Sequence, residues 1–342
     1  MRRLAGIVIV VLAVVAAGAL VAAQIAKEPP SWAYGIAPGT PMPTPGSRGA
    51  GAGGGGRGGA PQPAPDPTPQ HVPGSNLTFT LAEIRNAFGP ADWFPGDHPT
   101  MPPAVARGRM PDERACALCH YPNGKGRPEN AAVAGLPYSY IVQQLADFKN
   151  DKRHSADPRK NNTNIMIAIA KAMNDEEIKD TAEYFSSMKW TPWIKVVEST
   201  TVPKTRLAAG MYVGLEGTET EPLGQRIIEM PENAERTETL RDPHSAFIAY
   251  VPVGSVKKGE AMVTTGAGKT TQCAVCHGPD LKGLGPVPGI AGRSPSYTAR
   301  QLYDMQAGTR KGLWTDLMKP VVAKLTEEDM LVIAAYTASL AP

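Results

Sequence analysis

With 342 residues, 42% hydrophobic and 20% charged, the chain is long enough for more than one folded domain. A formal charge of +3 over that length gives no support to nucleic-acid binding. All four cysteines stand in two C-x-x-C-H motifs, so whatever chemistry they carry is carried twice.

The chain opens MRRLAGIVIVVLAVVAAGALVAAQ, in which Arg2 and Arg3 precede a run from Leu4 to Ala23 without a charged or strongly polar side chain. As a helix rising about 1.5 Å per residue, that run is about 30 Å long and matches a bilayer core. Residues 1–26 are therefore expected to be an uncleaved anchor in a bacterial inner membrane, with the remainder in the periplasm. The alternative is a signal peptide cut after VAA, which would leave a soluble periplasmic protein.

Residues 27–75 form the next unit: between Glu28 and Gly74, 24 of 47 residues are Pro or Gly. Such a stretch is expected to be disordered or extended, a tether spanning about 40 Å between membrane and folded part.

Residues 76–190 are expected to be the first folded domain. It begins with an amphipathic piece, FTLAEIRNAF, and a proline-dense stretch, and then reaches CALCHYPNGKG, with Cys116, Cys119 and His120. Two C-x-x-C pairs could supply the four ligands of a structural zinc, but zinc leaves the histidine after each pair unexplained. A thioredoxin-like dithiol requires a preceding strand, and neither MPDERA nor KTTQ reads as one. Covalent haem attachment accounts for every position: each thiol adds to a vinyl group and the histidine becomes an iron ligand. Thioether attachment also agrees with export. Residues 191–256, with WIKVVEST, AGMYVGLEG, QRIIEMP and AFIAYVPVG broken by Pro, Gly and Asn, read as a β-rich connector. Residues 257–342 hold the second motif, CAVCHGPDLKG, with Cys273, Cys276 and His277.

The two motif regions repeat. At an offset of 157, Cys116–Phe148 lies on Cys273–Met305 without a gap, and 14 of 33 positions are identical. Beyond Phe148 the register slips to an offset of 152, which places Met166 on Met318. An acidic helix start follows eight residues later in both copies, at Asn174-Asp175-Glu176-Glu177 and Thr326-Glu327-Glu328-Asp329. Met166 and Met318 are thus the expected sixth iron ligands, beside His120 and His277. The rival Met173 pairs with Leu325, which has no lone pair to offer.

Together, the motifs, the helices AGLPYSYIVQQLADF and AGRSPSYTARQLYDM, the later methionines and the closing helices ending AEYFSS and AAYTAS resemble a tandem dihaem member of the class I cytochrome c superfamily. The resemblance implies a mainly α fold of two cytochrome c domains, with two covalently bound haem c groups and electron transfer as the activity. A thioether opposite histidine favours ferrous haem and leaves iron no open position for a substrate. The partners expected are redox proteins: a dehydrogenase, a quinol-oxidising complex or a terminal oxidase. Among surrounding groups, Arg293 and Trp314 are candidate haem-pocket residues. The basic loop KNDKRHSADPRKNN is a candidate collar that steers an acidic partner. The alternative function is a peroxidase-like dihaem enzyme with one labile ligand, which would require His98 or His154 to replace Met166.

Overall fold

The computed structural model describes residues 28–37, 39–43 and 66–342. The expected anchor at residues 1–26 and the glycine-rich middle of the expected tether lie outside the described residues. Among the described residues, no helix is long and apolar enough to cross a membrane.

Short helices α1 (Ser31–Tyr34), α2 (Leu81–Ile84) and α3 (Pro103–Ala106) precede a two-stranded ribbon, β1 (Gly108–Arg109) and β2 (Glu113–Arg114). The first copy then continues through α4 (Cys116–His120), α5 (Tyr138–Lys149), α6 (Asn161–Ala172) and α7 (Asp175–Ser186). The connector carries β3 (Ile194–Glu198), β4 (Thr201–Pro203), β5 (Thr205–Ala208), β6 (Met211–Gly214), β7 (Thr220–Pro222), β8 (Ile228–Pro231) and β9 (Phe247–Val251). The second copy runs through α8 (Ser255–Thr265), α9 (Ala274–His277), the hairpin β10 (Gly283–Leu284) and β11 (Val287–Pro288), α10 (Pro295–Gln306), α11 (Leu313–Val322) and α12 (Glu327–Ser339).

The internal repeat is visible element by element. Helices α5 and α10 are both 12 residues long and start 157 positions apart, whereas α6/α11 and α7/α12 start 152 apart. Local chemistry sets those starts: Asn174 caps α7 and Thr326 caps α12, each in a complete capping box. Each closing helix packs on an opening one. In the second copy α8 crosses α12 so closely that a Cβ on Gly259 would lie 1.9 Å from the Val332 carbonyl oxygen, and only glycine allows the crossing. In the first copy the proline-dense sequence permits a single turn, α3, whose Ala104 and Val105 are buried and which packs against α7.

Strands β3, β9 and β8 form one sheet in the order β3-β9-β8, with β3 parallel to β9 and β8 antiparallel to it. The buried residues of β9 alternate along the strand, the period that a half-covered sheet requires. Phe247, Met211, Val213 and Trp193 pack with Tyr121 of the first copy, while Val251 and Ile227 join the core of the second. The connector is therefore wedged between the copies. Residues 66–99 extend this wedge: Val72, Ile84, Trp93 and Phe94 pack on Leu240, and the Trp93 indole N–H donates to the Leu240 carbonyl at 2.8 Å.

The expectation of a disordered tether across residues 27–75 is corrected at both of its described ends. Trp32, Ala33 and Tyr34 of α1 are 8%, 1% and 0% exposed and belong to the second copy's core. At the other end Gln70 bridges to Phe79, and Val72 is buried. Averaged over 47 residues the composition is poor in apolar groups, but its few large ones stand together at the ends, where they bury enough area to offset ordering.

Candidate haem-binding sites and the interface between them

Each C-x-x-C-H motif lies on a short helix, α4 or α9, that ends on its histidine. The next residue must turn left-handed, and Tyr121 (φ 60, ψ 157) and Gly278 (φ 83, ψ 160) do so alike. That turn brings the following loop back over the imidazole. His120 Nδ1 lies 2.7 Å from the Ala131 carbonyl, and His277 Nδ1 lies 2.7 Å from the Pro288 carbonyl. A carbonyl only accepts, so Nδ1 carries the proton and Nε2 is left with its lone pair for a metal. Burial pushes both imidazoles below the usual histidine range and keeps them neutral.

Three of the four thiols lie where burial disfavours their ionisation. Burial pushes Cys116 up to about 12 and Cys273 up to about 11, and raises Cys119 as well. Thiolates are thereby disfavoured, the reverse of what a redox dithiol needs. Among the described residues no group of three or more His, Cys, Asp or Glu converges on a common point, so the two C-x-x-C pairs do not share one zinc.

Met166 on α6 and Met318 on α11 are half-buried against the cores of their own copies. They occupy the same step of equivalent helices, the sixth residue of each. Met173 is only 2% exposed and sits inside the first core, as its counterpart Leu325 does in the second. Each motif thus offers two thiols and one imidazole nitrogen, which suits covalently attached haem.

Three of the four remaining histidines are held elsewhere. His98 Nε2 lies 3.2 Å from Asp92, His154 Nε2 lies 3.0 Å from the Asp151 carbonyl, and His244 Nε2 lies 2.5 Å from Asp97.

The family model for cytochrome c matches residues 105–189. The cytochrome c-554(548) of Halomonas halodenitrificans is 39% identical over 75 residues, 22% of this chain and 90% of that protein. The chain belongs to the cytochrome c family. A protein named thiosulfate dehydrogenase electron acceptor, from Thiomonas intermedia, is 25% identical over 69% of this chain and 83% of its own length. Cytochrome c4 of Pseudomonas aeruginosa is 24% identical over 66% of this chain and 83% of its own length. The protein is accordingly an electron-transfer cytochrome with two covalently bound haem c groups.

The cytochrome's two copies meet through side chains that sequence reasoning assigned differently or passed over. Arg153 and Arg310 stand 157 positions apart and are bridge partners. Arg153 donates to Gln144 Oε1 (2.7 Å), Tyr297 Oη (2.7 Å) and Gln301 Oε1 (3.0 Å). Arg310 returns the pattern to Gln301 Oε1 (2.9 Å), Tyr140 Oη (2.9 Å) and Gln144 Oε1 (2.8 Å). The identities Tyr140/Tyr297 and Gln144/Gln301, visible in the repeat, are thus one pseudo-symmetric interface. Backbone bonds flank it, from His154 N–H to the Thr309 carbonyl (2.9 Å) and from Lys311 N–H to the Lys152 carbonyl (2.6 Å).

This interface corrects the expected basic collar. Of its five Lys/Arg, Arg153 is 8% exposed and Lys160 2%, and Arg159 is paired with Asp157 at 2.7 Å. Arg153 and Lys160 face inward because the loop joins the copies, whereas Lys152 stays exposed. Arg293, the candidate haem-pocket residue, also spans the copies: it donates to the carbonyls of Gly289 (2.7 Å), Ala132 (3.1 Å) and Ala134 (3.1 Å), and its guanidinium covers Trp190 at 4.7 Å. Burial lowers it to about 10.

Proposed function

We propose that this cytochrome carries single electrons between periplasmic redox proteins, with one haem c joined through Cys116 and Cys119 and the other through Cys273 and Cys276. His120 and Met166 would hold the iron in the first copy, and His277 and Met318 in the second. The observation that carries the assignment is the repeated imidazole bond. The same nitrogen meets the carbonyl eleven residues on in both copies, at 2.7 Å each time, with a half-buried methionine at the equivalent helix step. Haem so ligated supplies one-electron exchange. The chain's part is to hold the imidazoles neutral and oriented, to present the thioethers, and to keep the two copies rigidly apposed through Arg153 and Arg310.

Transfer without catalysis is favoured because a histidine and a methionine together would leave iron no open position, and because His98 and His154 are engaged by Asp92 and Asp151. A dehydrogenase as electron donor is supported by the relative that bears the name thiosulfate dehydrogenase electron acceptor. Residues 76–190 and 257–342 are read as the two haem units, residues 191–256 as the connector, and residues 1–26 as the anchor at the periplasmic face of the inner membrane.

Replacing Met166 and Met318 separately by Ala in the holoprotein tests the ligand set. Each change is expected to remove the methionine-to-iron charge-transfer band of one ferric haem and to lower that haem's potential. A full band in Met166→Ala would show that another residue ligates the first haem.

A further inference from the structure

We infer that residues 30–37 and 39–42 act as a self-docking strap that holds the N-terminal part of the chain on the dihaem body whatever the length of the Pro/Gly-rich stretch 44–65. The strap touches all three parts of the body. Tyr34 Oη donates to Asp304 Oδ1 at 2.6 Å, and the same carboxylate oxygen accepts the Ala156 N–H at 2.8 Å. One buried acid of the second copy therefore binds both the strap and the interface loop of the first. Arg300 donates to the Ala33 carbonyl at 2.5 Å and to the Pro128 carbonyl at 3.1 Å, and Arg159 donates to the Thr40 carbonyl at 3.0 Å. Gly35, at φ 60, lies so close to the connector that a Cβ there would be 2.1 Å from the Gly210 carbonyl oxygen.

Among the described residues the seat exists once. Asp147, the first-copy equivalent of Asp304, accepts from Gln143 and Gln144 of its own helix, and a Cβ on Gly312 would lie 2.4 Å from its carboxylate. A tyrosine has no room there. The strap thus breaks the two-fold likeness of the copies and marks the second as the one nearest the N-terminal chain.

The described residues on either side of the stretch 44–65 are held, Thr40 by Arg159 and Gln70 by Phe79, so the length of that stretch does not set how far the body stands from residue 28. Six residues, 24–29, separate the apolar run from Pro30. At no more than about 3.5 Å each they reach about 20 Å. A membrane-apposed body follows from this only if residues 1–26 are the proposed anchor; the strap itself does not depend on that reading.

The experiment introduces a specific protease site within residues 50–60 of the full-length holoprotein. After cleavage in detergent, the N-terminal fragment is expected to co-elute with the haem-bearing body on size exclusion. After cleavage in native membranes, haem is expected to stay in the pellet. The combined Trp32→Ala and Tyr34→Ala replacement removes two buried aromatics and the bond to Asp304, and is expected to weaken retention about 100-fold or more. Its uncleaved spectrum should match the parent's, which separates undocking from misfolding. Separation of the fragment from the parent body, or equal retention by the doubly replaced protein, would overturn the strap. Haem already soluble before cleavage, with co-elution intact, would overturn the anchor and leave the strap standing.

Discussion

The arginine pair between the copies makes a prediction in which the sign of a coupling energy matters more than its size. Gln144 Oε1 accepts from Arg153 at 2.7 Å and from Arg310 at 2.8 Å, and Gln301 Oε1 accepts from them at 3.0 and 2.9 Å. Replacing Arg310 by Met removes three charge-assisted bonds, but each glutamine oxygen keeps Arg153, and a second buried guanidinium no longer has to be desolvated beside the first. The single change should therefore cost about 1–3 kcal/mol, less than three such bonds taken alone. Replacing both arginines leaves two buried amide oxygens without a donor, at about 1–3 kcal/mol each. The double change should then exceed the sum of the singles by about 2–4 kcal/mol. Urea unfolding of the four holoproteins, followed by far-ultraviolet circular dichroism and haem absorbance, closes the cycle. Additivity within about 0.5 kcal/mol would mean that the two guanidinium groups do not share their acceptors, and the interface as described would be wrong.

Two further outcomes follow from single residues. Gly259→Ala, which at an exposed helix position would stabilise, should instead destabilise by about 2 kcal/mol or more, because the new Cβ meets the Val332 carbonyl. Thermal melts of the holoprotein read the sign directly. Burial pushes Asp329 upward, but the Thr326 N–H at 2.8 Å and the Lys269 ammonium at 2.9 Å outweigh it and hold the carboxyl below its usual value. A carboxyl depressed in the folded state stabilises fully above its unfolded value of about 3.9 and loses that contribution as pH falls through its folded value. Asp329→Asn should cost about 1 kcal/mol at neutral pH, a capping contribution discounted for partial exposure of the lysine, and progressively less below about pH 4. A difference that grows on acidification would refute the cap.

Much of each haem site was legible because its information is local. The cysteines and histidine occupy five consecutive positions, and capping signals at Asn174 and Thr326 place the next helices, so the repeat carried Met166 and Met318 into register. The interface was illegible for the opposite reason. Arg153 and Arg310 remain aligned at an offset of 157, five positions beyond the stretch compared, yet an isolated arginine in a loop of lysines reads as a solvated cation. Only the apposition of two copies provides the glutamine and tyrosine oxygens that bury it. Composition misled in the same way at Trp32 and Tyr34, since a window average cannot register two aromatics whose partner, Asp304, stands 270 residues away from Tyr34.

By itself the amino-acid sequence determined that there are two haem-binding units, where each motif and candidate thioether lies, and that β-rich residues separate the units. These depend on spacing, periodicity and caps, which act over a few turns of chain. Tertiary structure alone decided that Arg153 and Lys160 of the basic loop face inward and that the connector is a wedge packed against both copies. It also decided that part of the apparent tether is a strap. The loop and the strap each depend on a buried polar group finding its partner across more than a hundred residues, and burial without that partner is what the fold has to avoid.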